Sequence, residues 1–160
     1  MKVYHGSNMI VDKPDVMHSY RALDFGKGFY VTTVWEQAQR WANRKAQMME
    51  SGKPIVNIYE MSEEVQDHFA IKDFSDDLEE WIDFVCRCRD EYDDYIKYDV
   101  IKGKVANDQV FRVVSMYHRG VWDKERTLKE IKAYPGYDQI AFINQDAIDE
   151  LLTFDSYKEV

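Results

Sequence analysis

The chain is poor in cysteine, with only Cys86 and Cys88 among 160 residues. They stand two apart in a segment of helical periodicity, so their side chains leave on different faces and neither bridge each other nor share a metal with ease. Ordinary reduced thiols are expected, and no disulfide framework. No stretch approaches the roughly 20 apolar residues that a membrane span requires. The opening Met1-Lys2-Val3-Tyr4-His5 also lacks the apolar core of a signal peptide, so a cytoplasmic protein is expected. Cations are in deficit: 21 Lys and Arg against 30 Asp and Glu give a net charge of −9, which disfavours an undirected hold on a phosphate backbone and leaves room for a local basic site. His18, His68 and His118 show no ligand spacing, and no metal is expected. The acidic run from Asp90 to Asp94 lacks the glycine and spaced ligands of a calcium loop and reads as a solvated patch. Repeats, linkers and low-complexity tracts are missing too.

What is present supports one globular domain over 1–160. Hydrophobic residues make up 45% of the chain, enough to oppose disorder. The pattern predicts strands at Lys2–Tyr4, entering a His-Gly-Ser turn, and at Phe29–Thr32, Pro54–Met61, Tyr98–Ile101 and Tyr137–Ile143, with a shorter one within His68–Lys72. Between Asn8 and Leu23 only a loop with a brief strand or turn near Pro14 is expected. Thr33 with Glu36 three residues on forms a capping box for a helix running toward Gly52, with Ala38, Trp41, Ala42 and Ala46 facing inward. Ser75 is the expected cap of a second helix, Asn107 or Asp108 opens a third to about His118, and Asp123 caps a fourth that Pro135-Gly136 breaks. Asp146 to Leu152 closes the chain as a helix. Strands and helices alternate without the regular spacing or phosphate glycine loop of a doubly wound fold, so the class is α+β.

Two short motifs carry the functional signal. Tyr4-His5-Gly6-Ser7 is followed, two dozen residues later, by Asp24-Phe25-Gly26-Lys27-Gly28-Phe29-Tyr30-Val31-Thr32-Thr33. A glycine after His5 admits a flat ligand close to an amide plane, and Gly26 and Gly28 permit a tight turn before Tyr30. Taken singly, His5 fits a satisfied turn histidine and Tyr30 a core tyrosine. In this order, at this spacing and with these glycines, the pair resembles half of a clamp for a nicotinamide dinucleotide.

The two motifs resemble the ADP-ribosyltransferase superfamily, in the His-Tyr-Glu branch that includes diphtheria-type toxins and poly-ADP-ribose polymerases. With Trp81-Ile82-Asp83-Phe84-Val85, the run from Tyr98 to Asp108, and Asp138-Gln139-Ile140-Ala141-Phe142, nearly the whole chain is similar to the bacterial family DUF3990. The resemblance implies a split mixed or antiparallel sheet with flanking helices, and NAD as a substrate with no metal. It implies that His5 bonds the ribose, that the Gly6 backbone pairs with the nicotinamide amide, that Tyr30 stacks on the ring, and that Ser7 and Gly28 belong to the same pocket. Arg21 or Lys27 would meet the pyrophosphate, Arg21 with the better bidentate geometry. Asn107 is either part of a helix cap or a pocket residue. Trp122 and Tyr134 lie where the family reads its acceptor, with core packing the alternative for Trp122.

The family's third element is a glutamate opening a late strand, and here Gln139 holds that place. An amide oxygen still accepts from a ribose hydroxyl but brings no negative charge to an oxocarbenium-like transition state and serves as no base. Members of DUF3990 often carry glutamine there, and their genomic settings imply toxin–antitoxin or phage-related roles. The expected function is transfer of ADP-ribose from NAD to a macromolecule, with an antitoxin or nucleic acid among the possible partners. The alternative is a catalytically silent module that binds NAD or ADP-ribose and acts through a partner.

Overall fold

The computed structural model describes residues 1–18, 23–64, 67–134 and 136–160. Among them run β1 (Lys2–Ser7), β2 (Phe29–Val31), α1 (Trp35–Met49), β3 (Ile55–Met61), β4 (Ile71–Asp73), α2 (Leu78–Arg89), β5 (Val100–Lys104), α3 (Asp108–His118), α4 (Lys124–Lys132), β6 (Asp138–Phe142), α5 (Gln145–Leu151) and β7 (Leu152–Glu159). One sheet has the order β1-β3-β7 and is antiparallel throughout. The other has the order β2-β6-β5-β4, antiparallel except for the parallel pair of β4 with β5. The fold is α+β, with five helices flanking two mixed or antiparallel sheets.

Among the described residues the sheets meet at a single backbone bridge. Tyr4 and Thr32 exchange both backbone hydrogen bonds, at 2.8 and 2.9 Å, and beyond that point β1 and β2 part. Directly opposed residues point the same way, so alternation sorts the side chains onto two sides. Tyr4, Gly6, Tyr30 and Gln139 face α1 and the α2–α4 layer. Val3, His5, Ser7, Phe29 and Val31 face the space between the sheets.

Each side has its own core. Between the sheets, Val3, Phe29, Val31, Tyr59, Ile140 and Phe142 pack with Ile148 and Leu151 of α5. On the outer side of the second sheet, Tyr30, Ile101 and Ala141 lie under Trp81, Val85, Val114 and Ile131 of α2, α3 and α4. A smaller cluster of Ala38, Ala42 and Val56 seats α1 on the first sheet. Cys86 and Cys88 are both buried and unbridged, because α2 is covered on most of its circumference. Burial pushes their thiols up to about 11 and about 12, so they stay protonated.

Several local expectations shift. His5-Gly6-Ser7 is strand and not turn, because each residue pairs with β3, Gly6 opposite Val56. Thr33 does not cap α1; Val34 holds the cap position, while the Thr33 hydroxyl donates to Asp138 at 2.9 Å. Ser75 yields the cap of α2 to Asp77, whose carboxylate accepts from Glu80 N–H, since the Ser75 hydroxyl is taken by Asp73. Asp123 caps α4 as expected. The strand expected at Tyr98–Ile101 runs on through Gly103 to Lys104 as β5. The region before Leu23 holds a short 3₁₀ turn at Val16–His18. The strand β7 is an addition to the expected elements. The proposed break at Pro135 and the site residue Arg21 lie outside the described residues.

Candidate functional site

The site grows from the parting of β1 and β2. Tyr4 turns its N–H and C=O toward β2, so two residues on, Gly6 turns its own N–H and C=O the same way, into the gap. No described residue bonds to them there. Ser7 is fully buried and its Oγ has no hydrogen-bond partner among the described residues. A buried, unpartnered hydroxyl costs about 1–3 kcal/mol, so Ser7 holds an unmet hydrogen-bonding capacity. Asn57, an unforeseen member, fixes the chain beyond Ser7: its Oδ1 accepts from Val11 N–H at 2.8 Å and its Nδ2 donates to the Met9 carbonyl at 3.1 Å.

His5 spans the gap. Its Nδ1 donates to the Tyr30 carbonyl at 2.7 Å, its ring stacks on Phe29 at 4.3 Å, and its Nε2 lies 3.3 Å from His18 Nε2. A donating Nδ1 leaves Nε2 as the acceptor, with the proton of that second contact on His18. Burial, helped by His18 and Lys45, lowers the His5 pKa from 6.5 to about 3; His18 is lowered as well, by burial and by Lys45.

Both imidazoles are therefore neutral near pH 7, and the sign of the linkage follows. Between pH 6.5 and about 3 the unfolded chain binds the His5 proton and the folded one does not, so stability is full above 6.5 and drains as pH falls. Each unit below 6.5 removes about 1.4 kcal/mol for this proton. From pH 6.5 to 5 the loss is about 2 kcal/mol, or roughly 5 °C in melting temperature for a chain of this size. A His5→Gln variant is expected to melt with a visibly flatter pH slope over that range. An unchanged slope would show that His5 is not buried neutral.

Tyr30 enters the site through its backbone. Its ring is 6% exposed, inside the α2–α4 core, and its hydroxyl donates to the Gly26 carbonyl at 2.6 Å while accepting from Phe25 N–H at 3.0 Å. The expected stacking ring is thus a core ring that closes the turn at 25–30. The glycines also have packing reasons. A Cβ on Gly28 would stand 2.5 Å from the Phe142 carbonyl oxygen, and one on Gly26, at φ +89°, would enter the Tyr95 ring. Lys27 is exposed.

Gln139 is buried beside a residue the motif pattern did not single out. Its Nε2 donates to Asp24 Oδ2 at 3.0 Å and to the Lys104 carbonyl at 3.2 Å. Asp24 Oδ2 also accepts from Ala106 N–H at 2.8 Å. Burial raises the Asp24 pKa, opposed by these two donors and by Arg89. Asn107 occupies the cap position of α3, but its side chain donates to Gln37 Oε1 on α1 at 2.9 Å, tying the two helices across the outer side. Nothing in the local sequence announces either pairing; 115 residues separate Asp24 from Gln139.

The structure thus joins His5 to Tyr30 by contact and Gln139 to Asp24, on opposite sides of the sheet, with Gln139 one residue beyond the last β2–β6 pair, Val31 with Ile140, and so beside the Tyr4–Thr32 bridge. Two open depressions of about 450 Å³ lie elsewhere, one with Asp83, Tyr117 and Trp122 on its wall, the other between Lys13 and Gln145. Trp122 packs on the α2–α4 core and under Arg126, and Tyr134 packs on the same core. Among the described residues no group of three or more His, Cys, Asp or Glu is disposed to hold a metal, and no helix is long and apolar enough to cross a membrane.

Fold and site together define an α+β protein whose two sheets part over a His-Gly-Ser segment. The chain belongs to the family described as protein of unknown function (DUF3990), whose model matches residues 1–154. No curated protein and no solved structure matches it.

Proposed function

We propose that the gap between β1 and β2 binds NAD and that the protein is an ADP-ribosyltransferase-like enzyme acting on a macromolecule. The observation that carries this reading is the pairing of an unpartnered buried Ser7 hydroxyl with the inward-turned Gly6 amide, both in the His-Gly-Ser segment. The Gly6 N–H and C=O match the carboxamide of nicotinamide, one donor for one acceptor. Neutral His5 offers one ring nitrogen to a ribose hydroxyl once His18 gives way. Because the Tyr30 ring is buried, the stacking surface falls to Trp41 of α1, half-buried, whose Cβ lies 2.9 Å from where a Gly6 Cβ would stand.

In the reaction the bond between the ribose carbon and the nicotinamide nitrogen breaks, and its electron pair leaves with neutral nicotinamide. The ribosyl cation is then captured by an acceptor oxygen or nitrogen, or by water, which loses a proton to solvent or to a neighbouring base. A silent binding module remains the second reading, because Gln139 is an amide with both N–H groups already committed.

Calorimetric titration with NAD, together with an assay of released nicotinamide, tests both. Binding with release supports the enzyme, binding without release the silent module, and neither at millimolar NAD removes both. Ser7→Ala is expected to keep or slightly raise the melting temperature, since it removes an unsatisfied hydroxyl, while weakening NAD binding several-fold. Equal affinity in that variant would take Ser7 out of the site.

A further inference from the structure

Asp24 is a carboxylate that the motif chemistry does not use, held against the one side chain whose chemistry is deficient. Gln139 directs one N–H to Asp24 Oδ2 at 3.0 Å and the other to the Lys104 carbonyl at 3.2 Å. With Asp24 ionised neither partner has a proton to give in return, so the carboxamide has a single orientation, with Oε1 turned away from both. Asp24 receives a second donor on the same oxygen, Ala106 N–H at 2.8 Å, and these donors favour the ionised form against the burial that raises its pKa. Arg89 on α2 supplies a countercharge, and its Nη2 is buried without a partner among the described residues. Asp24 is itself only partly buried.

We propose that Asp24 and Gln139 act as one unit, in which the carboxylate holds the carboxamide with its oxygen turned away and stands behind it as the negative charge that a glutamine alone does not bring. Asp24 is then a positioning residue: it polarises the amide and draws the cationic end of the dinucleotide toward Gln139, without touching it. The inference rests on the NAD reading of the same site and names its specificity. The pair favours the positively charged nicotinamide of NAD over the uncharged ring of NADH.

Affinities of the full chain for NAD, NADH and ADP-ribose test it, in the wild type and in Asp24→Asn and Gln139→Glu. Asparagine at 24 still accepts from Ala106 and Gln139 through its oxygen, so the fold and the affinity for ADP-ribose are expected to hold. The preference for NAD over NADH, expected at about tenfold from a charge interaction of this range, is expected to vanish in Asp24→Asn. Gln139→Glu sets two carboxylates about 3 Å apart, so one takes a proton and no charge is gained at neutral pH. A preference that survives Asp24→Asn overturns the unit while leaving NAD binding intact. Loss of binding to all three ligands by the wild type overturns the NAD reading and the unit with it.

Discussion

Gly6→Ala is expected to destabilise the protein by more than about 3 kcal/mol, a larger penalty than most single methyl additions incur. A Cβ at that position would lie 2.0 Å from the Ala38 carbonyl oxygen and 2.6 Å from the Ala42 amide nitrogen. Both are backbone atoms of α1, so no rotamer change relieves the clash. Either α1 lifts from the first sheet, opening the cluster of Ala38, Ala42 and Val56, or β1 shifts out of register with β3. Chemical denaturation of the variant measures the loss. Gly120→Ala is the control: φ is +76° but nothing stands within 4 Å, so only backbone strain of about 1 kcal/mol applies. A Gly6→Ala protein within about 1 kcal/mol of wild type would refute the close seat of α1 on β1. The clash also changes what a binding assay on this variant means. Lost NAD affinity would reflect a displaced helix as much as a blocked amide, which is why Ser7 is the better probe of the gap.

The division between what the sequence disclosed and what it hid follows the range of the interactions. Ile55–Met61 and Asp138–Phe142 were legible as strands because β-branched and aromatic residues concentrate there, and Asp123 was legible as a cap because its partner is Arg126, three residues away. Thr33 and Ser75 are equally good cap residues by type. They lost the role to acceptors invisible in the local pattern, Asp138 for one and a turn around Asp73 for the other. The strand β7 carries an alternation at Leu152 and Phe154, but its later residues are exposed, and its pairing with β3 supplies the stabilisation that its own sequence does not advertise. The site shows the same limit. The order of His5, Gly6 and Ser7 was readable. Which side of the sheet each residue faces, and that Gln139 would find a carboxylate at position 24, depend on the register of β2 with β6 and on the connection through Ala106.

Tyr30 is where this limit has the largest consequence, and two substitutions separate the roles it has been given. If the ring stacked on nicotinamide, Tyr30→Phe would leave binding and stability nearly intact. In the observed arrangement the hydroxyl bonds both Gly26 C=O and Phe25 N–H inside the core, so Tyr30→Phe leaves a buried donor and acceptor unmatched. A loss of about 2–3 kcal/mol is expected, and Tyr30→Ala, which adds a cavity beside Trp81 and Ile101, is expected to lose about 3–5 kcal/mol. Urea denaturation resolves both. The turn that Tyr30 closes begins one residue after Asp24, so loosening it frees the carboxylate that orients Gln139. Tyr30→Phe is therefore expected to reduce the preference for NAD over NADH while leaving ADP-ribose affinity nearly unchanged. A Tyr30→Phe protein as stable as the wild type would return the ring to the ligand and take the turn out of the account.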